Sequence, residues 1–130
     1  MTKTSVWEVI TALADHLHSE GATEEARYFY EESVALAVVT FGGGHLLVGY
    51  SLLLLEEFLE GICELESARK IREIAISIYL RNSASELLFT TRKALRDSSI
   101  VSMQSARKRL RERTMEMTVR NLANSDQACS

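Results

Sequence analysis

The 130-residue chain is 46% hydrophobic and 25% charged, with a formal net charge of −3. This balance suits a single globular domain with enough apolar material for a core. It contains no proline and two cysteines, which excludes a disulfide-stapled scaffold and leaves nothing to interrupt long helices.

The N-terminal MTKTSVWEV lacks the apolar stretch of a signal peptide. With so little cysteine, a reducing compartment is expected, cytoplasmic or also nuclear. A first helix is predicted over about 5–19, with Thr4 or Ser5 as its cap and Ile10, Leu13, Ala14 and Leu17 on one face. Gly21 supplies the turn, since glycine accepts positive φ at a helix end. A second helix runs from Thr23 to about Thr40. Glu24 and Glu25 stand in its first turn, where the helix dipole favours them. Its inner stripe is Ala26, Tyr30, Ser33, Val34 and Ala37.

Phe41-Gly42-Gly43-Gly44 then breaks the chain, and His45 packs at the start of a third helix over about 45–62. The run LLVGYSLLLL at 46–55 is apolar nearly all round, but Glu56, Glu57 and Glu60 follow at once. It is too short for the roughly 20 residues that span a bilayer and reads as a central core helix. A fourth helix covers about 65–81, with Ala68, Ile71, Ala75, Ile78 and Tyr79 at three- and four-residue intervals. Ser83 followed by Glu86 has the spacing of a capping box, so a fifth helix is expected from about 84 to 96. A sixth begins near 99–101 and reaches about Leu122, leaving 123–130 as a polar, disordered tail. Strand signals are poor, with no Asn-Gly or Asp-Gly hairpin and no sustained alternation.

A shift of 42 residues lays helices one and two on helices three and four. Leu13 falls on Leu55, Asp15 on Glu57, Leu17 on Leu59, Ala26 on Ala68 and Arg27 on Arg69. Small residues at Ala26 and Ala68 let paired helices approach, and the leucines fill the space between. The first unit reads Ile10-x2-Leu13-Ala14-x2-Leu17-x3-Gly21-x4-Ala26-x3-Tyr30-x2-Ser33. In these spacings it resembles the tetratricopeptide-repeat (TPR) family, and its 42-residue period resembles the longer variety seen in kinesin light chains. The second unit departs from the pattern. Glu56 stands where a small residue is usual, Cys63 where glycine is usual and Arg72 where an aromatic is usual. The resemblance implies an all-α fold over 1–122, a TPR-like α-solenoid of about three stacked antiparallel helix pairs, with an atypical last pair that caps the stack.

The resemblance also implies a concave groove lined by the first helix of each pair. On the family's spacing it would present Glu8, Thr11, Asp15 and His18 from the first pair, and Tyr50, Leu53, Glu57 and Glu60 from the second. Such a lining is acidic with an apolar patch, and it would take a basic or amphipathic segment of another protein. Charge is distributed to match. Residues 1–91 hold 6 Lys/Arg against 14 Asp/Glu, whereas 92–130 hold 9 against 4. The basic cluster Arg107, Lys108, Arg109, Arg111 and Arg113 forms a second contact surface or a solvated helix face. A small nucleic-acid-binding protein using 107–113 is an alternative, as is a helical-bundle homodimer joined through helix three or six.

No cofactor, metal or catalytic group is expected. His16 and His18 stand two apart, so on one helix they face different ways, and His16 with Glu20 falls short of a zinc ligand set. Gly42-Gly43-Gly44 follows no strand and precedes no Lys-Ser/Thr, so it is no phosphate cradle. Cys63 is expected as a small buried residue.

Overall fold

The computed structural model describes residues 3–97 and 111–116, and all of their regular structure is helical. The chain forms α1 (Lys3–Ser19), α2 (Thr23–Phe41), α3 (Leu46–Gly61), α4 (Leu65–Arg81) and α5 (Ser85–Asp97), and 111–116 is again helical. The remainder of the expected sixth helix and the expected polar tail lie outside the described residues. No described helix is long and apolar enough to cross a membrane.

Helices α1 and α2 form one antiparallel hairpin, and α3 and α4 form the next. Tyr30, early in α2, donates its hydroxyl hydrogen to Asp15 Oδ1 near the end of α1 at 2.5 Å. In the second hairpin, Arg72 of α4 reaches back to Glu60 near the end of α3 at 2.8 Å. Between hairpins the equivalent helices run parallel. Trp7, near the start of α1, packs edge-on against Tyr50 and donates to Ser51 Oγ near the start of α3. His18, near the end of α1, packs edge-on against Phe58 near the end of α3. Likewise Arg27 at the start of α2 bonds Glu64, the residue that opens α4, at 2.7 Å.

The 42-residue shift is visible in the backbone itself. Gly21 and Cys63 both have positive φ, 80° and 63°. After α1, the Ala22 N–H bonds the Leu17 carbonyl and the Gly21 N–H bonds the His18 carbonyl. After α3, Glu64 bonds Leu59 and Cys63 bonds Glu60, each 42 residues on. This is the Schellman pattern, which satisfies orphan carbonyls at a helix end through one left-handed residue. It occurs a third time after α4, where Ala84 bonds Tyr79 and Ser83, at φ 53°, bonds Leu80. Ser83 therefore ends α4 and does not cap α5 as the Ser83–Glu86 spacing predicts. Thr4 and Ser5 lie within α1 and not ahead of it. The surface ion pairs echo the same shift, Arg27 with Glu31 and Arg69 with Glu73.

The core sits on α3. Of its 16 residues, 13 are buried, Leu46 to Glu56 without interruption and then Phe58 and Leu59. Its neighbours α1, α2, α4 and α5 all pack against it. Each large apolar side chain hidden in this way contributes about 1.5–3 kcal/mol. Small residues set the spacing. Ala14, Ala26, Ala37, Ala68 and Ala75 have no exposed surface, and Gly49 lies directly under the Tyr79 ring, where a Cβ would stand 2.8 Å from Cε2. The stripes expected on α2 and α4 are the buried ones, with Val34 and Ile71 at their margins. On α1 the buried face is rotated from expectation: it comprises Trp7, Thr11, Ala14 and Asp15, with Ile10 and Leu13 only half-buried. Because α3 is enclosed by its own chain, it is not available as the dimer seam.

The hairpins are joined at Gly42–His45. Gly42 has φ 100° and its N–H bonds the Val38 carbonyl, closing α2. His45 is extended (φ −78°, ψ 145°) and caps α3: its Nδ1 accepts from the Leu47 N–H at 3.0 Å. The imidazole is stacked on Phe41, and Asn82 Nδ2 donates to the Gly44 carbonyl at 2.9 Å, tying the linker to the end of α4.

Candidate functional site

The residues expected to line a groove divide into two sets. Thr11 is buried, bonding Trp7 O and sharing a hydrogen bond with Ser33 Oγ at 2.9 Å. Asp15 is buried against Tyr30, and Tyr50 is buried against Trp7. These three are internal, so they do not line a surface. Thr11 and Asp15 are inside because α1 turns them toward Ser33 and Tyr30 of α2, which supply the hydrogen bonds that burial requires. His18 is half-buried between Tyr30 and Phe58, and Glu8 is half-buried.

The second set converges. Leu53, Glu57 and Glu60 line a cleft between α3 and α5 together with Glu56, Arg92, Leu95 and Arg96. Leu53 and Leu95, both almost wholly buried, close its inner end. Glu57 and Glu60 are half-buried at its side. The lining is not uniformly acidic as expected, since α5 contributes two arginines.

Glu56 is the unusual member. It is only 4% exposed, and a carboxylate so placed needs compensation. Its Oε1 lies 3.3 Å from an Arg92 terminal nitrogen and 3.5 Å from Arg72 Nε. Its Oε2 is buried with no hydrogen-bond partner, as are Arg72 Nε and Arg92 Nε. Arg72 makes its short bond elsewhere, to Glu60. Burial pushes the Glu56 carboxyl above the ordinary range. Arg92 pulls it back, Glu60 raises it further and Arg72 lowers it, and burial prevails. One carboxylate oxygen thus holds three helices together through imperfect contacts.

Of the expected basic surface, Arg107, Lys108 and Arg109 lie outside the described residues. Arg113 is exposed, but Arg111 is only 9% exposed and does not belong to a solvated face. Cys63 is exposed and not buried, because the left-handed turn that carries it projects from the tip of the second hairpin. Among the described residues no group of three or more His, Cys, Asp or Glu is arranged to hold a metal ion.

Sequence reasoning missed Glu56, Arg92, Leu95 and Arg96 as cleft residues. Glu56 did carry a signal, as a charge set in a helix otherwise apolar on that side. Arg92 and Arg96 stand four apart and so share a helix face, but only the packing of α5 shows that this face meets α3. Comparisons with protein-family models, curated proteins and solved structures returned no match to this chain.

Proposed function

We propose that this chain is a non-catalytic protein-interaction adaptor. On this reading it is a short TPR-like α-solenoid of stacked hairpins, and it receives a basic or amphipathic segment of a partner at the cleft between α3 and α5. The observation that carries the reading is the make-up of that cleft: the half-buried carboxylates Glu57 and Glu60 at its side, with the almost wholly buried Leu53 and Leu95 behind them. Carboxylates at the side of a cleft complement basic side chains on one face of a helix or strand. The 42-residue recurrence of the turns at Gly21 and Cys63 supports the solenoid.

The test is fluorescence anisotropy with two labelled peptides of equal length and apolar content, one basic and one acidic. The basic peptide binds and the acidic one does not, and Glu57→Lys with Glu60→Lys abolishes binding while the helical circular dichroism persists. Equal binding of both peptides ends this reading.

A further inference from the structure

We propose that Arg92 is a built-in stand-in for an arginine of the partner: α5 lays its guanidinium against the Glu56 carboxylate, and the incoming side chain displaces it. This inference rests on the interaction reading above and names the group recognised.

The geometry of the present pair is what points to exchange. A guanidinium and a carboxylate can form two parallel hydrogen bonds, short and strong. Arg92 forms one, at 3.3 Å, to Oε1. Its Nε and Glu56 Oε2 are both buried without partners. The fork is half-made, and the same Oε1 is shared with Arg72 Nε at 3.5 Å. An arginine arriving on a separate chain can engage both oxygens.

The surroundings agree. The charged groups facing Glu56 are Glu57 and Glu60 of its own helix, Arg72 of α4, and Arg92 and Arg96 of α5. Glu60 is already matched by Arg72 at 2.8 Å. Both arginines against Glu56 are partly exposed, Arg92 at 24% and Arg72 at 33%, but Arg92 is the one that lines the cleft. Burial outweighs both arginines at the Glu56 carboxyl, so the internal pair leaves this group undercompensated. A buried carboxylate in that state gains most from a better-aligned donor. Arginine fits better than lysine, whose ammonium is a point charge that does not match both oxygens at once.

The probe is an acetylated, amidated octapeptide alternating alanine and arginine, compared with its lysine counterpart at about 0.15 M salt, where long-range attraction is screened. Calorimetry gives the affinity of the full chain and its variants. Arg92→Gln binds the arginine peptide about tenfold more tightly than the native chain, the scale of one charge-assisted hydrogen bond, and gains less toward the lysine peptide. Adding Glu56→Gln removes the gain. Arg92→Lys, which keeps the charge in place, gives an intermediate gain and guards against a folding artefact. An unchanged or weaker affinity in Arg92→Gln overturns the proposal, and so does a gain that survives Glu56→Gln. If Arg92→Gln changes nothing while Glu57→Lys abolishes native binding, the stand-in falls and the interaction surface stands.

Discussion

Gly49 of α3 lies beneath the ring of Tyr79 of α4, so close that a methyl group in place of its hydrogen would meet Cε2 at 2.8 Å and Ile78 Cγ2 at 3.2 Å. Both neighbours are buried. In an exposed helix, Gly→Ala stabilises by about 1 kcal/mol. Here the sign reverses. A buried ring cannot swing aside as a flexible chain end does, so Gly49→Ala forces α3 and α4 apart and costs about 1–3 kcal/mol. Urea denaturation measures it, and an unchanged or higher midpoint would show that the two helices are not packed this closely.

The three left-handed helix ends differ in what they cost. Gly21 occupies such a position without penalty, whereas Cys63 and Ser83 place a Cβ in it. Cys63→Gly therefore raises stability by about 1 kcal/mol, and Gly21→Ala lowers it by about the same amount. Nothing else lies within 4 Å of a Cβ at Gly21, so the second change reports backbone strain alone. Thermal melts of the two variants should move in opposite directions.

His45 makes stability depend on pH. Its Nδ1 accepts a hydrogen bond, which a protonated imidazole cannot do. Burial lowers its pKa from the usual 6.5. The folded state thus binds the proton less readily than the unfolded chain does. The contribution is whole above pH 6.5 and is lost as pH falls from there through the folded-state value. His45→Asn keeps a capping acceptor that does not titrate, and its denaturation midpoint stays level across that window. Glu56 acts in the opposite sense. Its raised pKa means that stability increases as pH falls through the folded-state value toward 4.5. Glu56→Gln removes that rise, so the two variants separate the two effects.

Ser51 joins hairpins through one hydroxyl, which accepts from Trp7 Nε1 at 3.0 Å and donates to Leu47 O at 2.9 Å. Ser51→Ala leaves the buried indole N–H without this acceptor, at a cost of about 1–3 kcal/mol. Ser51→Thr retains the oxygen and costs less. Equilibrium unfolding followed by the fluorescence of Trp7, the one tryptophan of the chain, reads both.

The helices were legible because their signals are local. Apolar spacing on α2 and α4, the glycine after α1 and the glycine run before α3 mark elements whose ends agree with the structure to within about two residues. The cleft was half legible. Leu53, Glu57 and Glu60 follow from repeat spacing, but Thr11, Asp15 and Tyr50 share that spacing and are internal. Polarity alone does not distinguish a solvated group from a buried one with a partner. Thr11 is inside because Ser33 meets it from α2, and Asp15 is inside because Tyr30 does. Ser83 misled for a related reason, since its hydroxyl suggests a cap while its backbone serves the preceding helix.

The enclosure of α3 by four neighbouring helices bears on how the molecule comes apart. A linear array can shed an end unit and keep the rest, because each unit touches only the next. Here the first hairpin, α4 and α5 all rest on α3, and withdrawing any of them bares part of its apolar surface. Loss of any one of them is therefore felt first in α3.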